Sequence, residues 1–157
     1  MNTINLNFIQ PSLLSTFLQL EEIPYDDNGW LLPQVDIKDN TVGRYEILSM
    51  PEQNDSTKYI LAYTMSYSIM ASNLETKKFN FVFQCKFVGQ FDLLGITSSK
   101  EYEDFINNTL YSDDLLDNLA PRLLFGEVRR YALDTLFKSG IRNINIPEPS
   151  FVREDKS

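Results

Sequence analysis

From Tyr59 to Met70 apolar and smaller residues alternate. Tyr59, Leu61, Tyr63, Met65, Tyr67 and Ile69 fall on one side, and Ile60, Ala62, Thr64, Ser66, Ser68 and Met70 on the other. A period of two is that of a β-strand, whose successive side chains point to opposite faces. Phe79, Phe81, Phe83, Cys85 and Phe87 repeat the pattern against Asn80, Val82, Gln84 and Lys86. The short polar link Ser72-Asn73-Leu74-Glu75-Thr76-Lys77 makes the two an antiparallel hairpin. Gly89 then predicts a bulge or bend before Phe91 and Leu93 resume the alternation. Upstream, Tyr45, Ile47 and Ser49 form a shorter strand that stops at Met50-Pro51 and hairpins into Tyr59.

Past Gly95 the period changes. Ser98 or Ser99 caps a short helix with acids in its first turn, Lys100 to Phe105. Asp113 or Asp114 caps the next, and Pro121 marks the start of its long part. Phe125, Val128, Ala132 and Leu136 form an apolar stripe, widened by Leu133 and Phe137. Glu127, Arg130, Asp134 and Lys138 sit on another face at ion-pair spacing. Gly140 stands where a helix-ending glycine belongs. At the other end of the chain the pattern is divided. Ile4, Leu6 and Phe8 alternate, whereas Leu13, Leu14, Phe17 and Leu18 behind Pro11 fit a helical period, so local reasoning makes Pro11 to Ile23 a helix.

Composition narrows the function. The 157 residues suit one domain, 1–157, with a tail at 153–157 expected to fray. A 43% hydrophobic content is enough for a core. There is no signal-peptide pattern and no apolar run long enough to span a membrane, and Cys85 is the one cysteine. These features favour a reducing, cytoplasmic setting. A net charge of −8 argues against nucleic acid as a partner. The absence of histidine removes the usual general base and the commonest zinc ligand, so the chain reads as a non-enzyme without metal or cofactor. Cys85, on the apolar side of its strand, reads as a core thiol rather than a nucleophile. Asp113, Asp114 and Asp117 read as caps and solvated acids, and Arg129 and Arg130 as ion-pair partners. Trp30 follows the turn signal Asp26-Asp27-Asn28-Gly29 and precedes Leu31, Leu32 and Pro33. It either folds back onto the core or faces a ligand.

Several segments, in order, resemble the SecB-type export chaperones. Phe83-Gln84-Cys85-Lys86-Phe87-Val88-Gly89-Gln90-Phe91-Asp92-Leu93-Leu94-Gly95-Ile96 is similar to that family's strand, glycine and exit. Ala120-Pro121-Arg122-Leu123-Leu124-Phe125 with Arg129 resembles its proline-led helix. Gly140 and Asn143 to Phe151 resemble the helix stop and tail, and Trp30, Pro33, Val35 and Ile37 the crossover into the second strand. The resemblance implies an α+β fold, a four-stranded antiparallel sheet with C-terminal helices on one side. It also implies that Leu13 to Leu20 is strand, and this reading is preferred to the local helix.

The implied function is an ATP-independent holdase, a homotetramer that binds unfolded preproteins in an apolar groove without a cofactor. The groove residues expected from the resemblance and the amphipathic pattern are Trp30, Leu31, Leu32, Val35, Phe137 and Ile141. The match departs from the family at the export-ATPase docking face, where Gln84 and Lys86 replace an expected acid, and at Gly126, where a proline is usual. A dedicated client, as for relatives paired with toxin–antitoxin systems, is therefore also expected. The competing expectation is an inhibitor or immunity-type protein that grips one folded partner through an acidic surface.

Overall fold

The computed structural model describes residues 5–51, 57–110, 114–142, 144–147 and 149. Four long strands come first: β1 Asn5–Leu20, β2 Val35–Pro51, β3 Thr57–Asn73 and β4 Phe79–Leu94. Two helices follow, α1 Ser99–Phe105 and α2 Asp114–Lys138, and a π-helical turn, Ile106–Leu110, continues α1. The strands make one antiparallel sheet in the order β1-β4-β3-β2. This is the expected α+β architecture. Consecutive β2, β3 and β4 form two hairpins, and the segment between β1 and β2 must cross the whole sheet to join its two edges.

The alternating residues of β3 and β4 face the helices. Tyr63, Met65, Tyr67 and Ile69 of β3 pack with Phe81, Phe83, Cys85 and Phe87 of β4, and Leu124, Val128, Ala132 and Leu136 of α2 close over them. Each large side chain removed from water contributes about 1.5–3 kcal/mol, so this single layer carries most of the fold's stability. Tyr131 adds an edge-on contact with Phe87, ring centres 5.5 Å apart. The helix ends follow their sequence signals. Ser98 caps α1, its hydroxyl accepting from the Glu101 amide at 3.2 Å. Gly140, at φ +90°, ends α2, the Ile141 amide donating to Leu136 O at 2.8 Å. Lys138 pairs with Asp134 at 2.9 Å, and Arg130 pairs with Glu127.

Four local readings need correction. Pro11 to Leu20 is strand, not helix, because it pairs along β4 from Asn5↔Leu94 to Leu20↔Phe81. Gly89 is no bulge in its own strand: β3 and β4 stay in register through Tyr63↔Gly89, and the extra residue lies opposite, in β1 between Ile9 and Ser12. Phe79 does not share a face with Phe81, since a register shift at Ala71/Ser72 leaves Asn80 extra, and Phe79 is exposed. Finally, β2 reaches back to Val35 rather than starting near Tyr45. The second helix does start where its cap signal stands, at Asp114, and it continues through Pro121 as one helix. Asp113 and the tail at 153–157 lie outside the described residues.

Candidate functional site

The crossover from β1 to β2 is pinned at both ends to the β3–β4 hairpin, at the start of β4 and in the turn. The amides of Glu21 and Glu22 both donate to Asn80 O, at 2.8 and 3.0 Å, and the Leu74 amide donates to Gln34 O at 2.8 Å. Between these anchors Tyr25 and Leu31 pair as a small antiparallel bridge. The Asp26 carboxylate accepts from the amides of Asn28 and Trp30, both at 2.9 Å, while the Asp26 amide donates to Trp30 O at 2.9 Å. Gly29 takes φ +81°, which a residue with a Cβ rarely adopts. The Asp-Asp-Asn-Gly signal thus produces a hydrogen-bonded turn whose function is to fix the residue after it.

That residue is Trp30, and it points outward with 74% of its surface exposed. Leu31 is exposed beside it, while Tyr25 and Leu32 turn inward against the core. Tryptophan this exposed forfeits the burial that normally accompanies its size, and exposed apolar clusters mark interaction surfaces. Ile23, Leu74 and Phe79 are exposed as well, and the backbone bonds just described bring their segments to the same end of the sheet.

The other expected groove residues divide. Val35 starts β2 and is buried, and Ile141 is buried under the cap of α2. Phe137, one turn before that cap, is 57% exposed, and the Arg142 guanidinium lies 4.9 Å from its ring centre. A feature missed in the sequence lies on β1. Leu13, Leu14, Phe17 and Leu20 are all exposed along this edge strand. The signal was available: no charged residue occurs anywhere in Asn5–Leu20.

Two titratable groups in the sheet, Cys85 and Tyr67, are buried. Burial pushes the Cys85 thiol up to about 12, so it stays protonated and unreactive near neutrality. The Tyr67 hydroxyl is raised further, first by burial and then by Asp39, to which it donates at 3.3 Å. Among the described residues no group of three or more His, Cys, Asp or Glu could hold a metal ion, and no helix is long and apolar enough to cross a membrane.

No family model matches the sequence, and no curated protein matches it. The shape does have a counterpart. The structure is similar to the Mycobacterium tuberculosis SecB-like chaperone Rv1957, solved in complex with a ChAD peptide from the HigA1 antitoxin. The two are 11% identical, the TM-score is 0.55, and the match covers 94% of this chain and 91% of that one. The match spans nearly the whole of both chains, so the four antiparallel strands and C-terminal helices in this order are the SecB-like chaperone fold.

Proposed function

We propose that this protein is a cytoplasmic, ATP-independent chaperone that holds unfolded or extended client segments on apolar surface. The observation that carries the reading is the outward display of Trp30 and Leu31 on a turn built to hold them there. Apolar burial has no directional demand, so such a surface takes varied sequences. The reading requires no catalytic group and no cofactor. The similar chaperone's antitoxin peptide supports a dedicated client, including one from a toxin–antitoxin pair, as well as general preproteins.

The working form in this proposal is a homo-oligomer, a tetramer in the family's manner. The two sheet edges differ in a way that supports this. β2 carries Asp36, Lys38, Asp39 and Arg44, charges that discourage strand addition. β1 carries none and exposes four large apolar side chains. Docking on the export ATPase is proposed to be weak or absent, because Gln84 and Lys86 lie on the sheet face away from the helices, where acids are expected. The test is aggregation of a chemically unfolded model client, followed by light scattering without nucleotide. Suppression near one oligomer per client supports the proposal. A protein that ignores unfolded clients and binds one folded partner tightly would be an inhibitor instead.

A further inference from the structure

The sheet face opposite the helices is concave at its centre, with a trough of about 370 Å³ to which all four strands contribute. Two cross-strand rungs define it. One runs Ser15, Lys86, Ser66, Val42 and the other Phe17, Gln84, Ser68, Asn40. The floor is therefore hydroxyls and amides on short side chains, with donors and acceptors left to offer. Phe17 and Val42 stand at diagonal corners, 50% and 58% exposed. Lys86 is the only charged side chain that lines the trough. No carboxylate among the described residues lies within ion-pair distance of it, although the chain as a whole carries a net −8.

We propose that this trough is a second docking surface, separate from the Trp30 hairpin, and that it takes an extended segment of a partner protein in which an acidic residue lies between two apolar ones. A lone ammonium on a polar floor calls for a carboxylate, and the contact is a charge-assisted hydrogen bond. One cation on so acidic a chain cannot hold a nucleic-acid backbone, which needs several phosphates neutralised at once. The spacing sets the pattern. β1 and β2 are three strand intervals apart, about 14 Å, and the offset of one rung puts the two corners about 16 Å apart. Residues i, i+2 and i+4 of an extended segment face the same way and span about 13 Å, and side-chain reach covers the remainder. The segment therefore reads apolar, any, acidic, any, apolar.

The test uses an acetylated, amidated peptide containing leucine, serine, glutamate, serine and leucine, and its glutamine counterpart, titrated into the protein. Binding is followed by amide chemical shifts on the labelled protein. The glutamate peptide should move the amides of Ser66, Ser68, Gln84 and Lys86 and bind roughly fivefold tighter than the glutamine peptide at low salt. Lys86→Gln should erase that preference while leaving the fold, read by circular dichroism, unchanged. Trp30→Ala should leave it intact. Equal affinity for the two peptides, a preference that survives Lys86→Gln, or shifts centred on Trp30 and Leu31 would each overturn the proposal.

Discussion

The side chain of Leu124 stands where Gly89 has no side chain: a Cβ built on Gly89 would lie 2.3 Å from Leu124 Cδ1. Leu124 is fully buried, so it has nowhere to retreat. Gly89 is thus the point at which α2 settles onto β4. Gly89→Ala should destabilise the fold by about 1–3 kcal/mol, the usual cost of overpacking a core. Urea denaturation measures this, and a midpoint equal to that of the parent protein would show that the helix can slide at no cost.

Gly126, two residues after Leu124 on α2, is the counterexample. A Cβ there meets nothing within 4 Å, and the position is exposed. Gly126→Ala should stabilise by about 0.5–1 kcal/mol, because alanine loses less backbone entropy on forming a helix. The pair separates space from conformation: one glycine is required by its neighbour, and the other is a removable weakness. Thermal denaturation of both variants side by side would show shifts of opposite sign.

Much of this was readable in the chain and some was not, for physical reasons. Apart from the shift at Asn80, β3 and β4 keep a period of two because one face is buried along most of their length. β1 also is a strand, but extra residues enter it between Ile9 and Ser12 and between Leu13 and Ser15. Each insertion shifts the phase, so Leu13, Leu14, Phe17 and Leu18 imitate a helical repeat. Only pairing with β4 settles the matter, and that is tertiary information. The candidate site has the same limit. Val35 and Trp30 are both apolar residues near the crossover, yet one is 7% exposed and the other 74%. The difference comes from the Asp26 turn, which directs Trp30 outward, and from the strand that begins at Val35.

The uncharged β1 edge predicts how copies associate. Leu14 is 53% exposed there, within the stretch between the Leu13 and Ser15 pairings. Leu14→Lys places an ammonium on an edge that otherwise repels nothing, as natural sheets do to block strand addition. The expected result is dissociation to smaller species, down to the 18.2 kDa monomer, with little loss of helix or strand signal. Sedimentation velocity at micromolar concentration checks it. A parent protein that is already monomeric would remove the oligomer from the proposal altogether.

Alkaline pH should weaken the fold through Cys85 and Tyr67. In the unfolded chain the thiol loses its proton near pH 9.0, whereas in the folded chain it holds it to about 12. Between these values the folded state binds more protons than the unfolded state, so stability falls as pH rises. Tyr67, also raised by burial, adds to the fall above pH 10. Stability should therefore show no thiol-linked change below pH 8 and decline from about pH 9 upward. Denaturation midpoints across pH 7–11 measure it, and Cys85→Ala should flatten the first part of the decline.

Trp30 is where fold and proposed function separate most cleanly. Its ring is three-quarters exposed, so removing it leaves no cavity, and the turn beneath it is held by the Asp26 carboxylate and backbone amides that an alanine retains. Trp30→Ala should then change stability by no more than about 0.5 kcal/mol, the range of ordinary surface substitutions. The same substitution removes a large contact with few torsions to immobilise, and client binding should weaken by about 1–3 kcal/mol. Asp26→Ala is the complementary variant. It keeps the ring but releases the turn, so affinity should fall because the ring must be ordered on binding. Titration of a fluorescent unfolded client, with denaturation of each variant in parallel, distinguishes these effects. If Trp30→Ala unfolds readily yet binds clients with undiminished affinity wherever it is folded, the hairpin is structural and client binding lies elsewhere on the molecule.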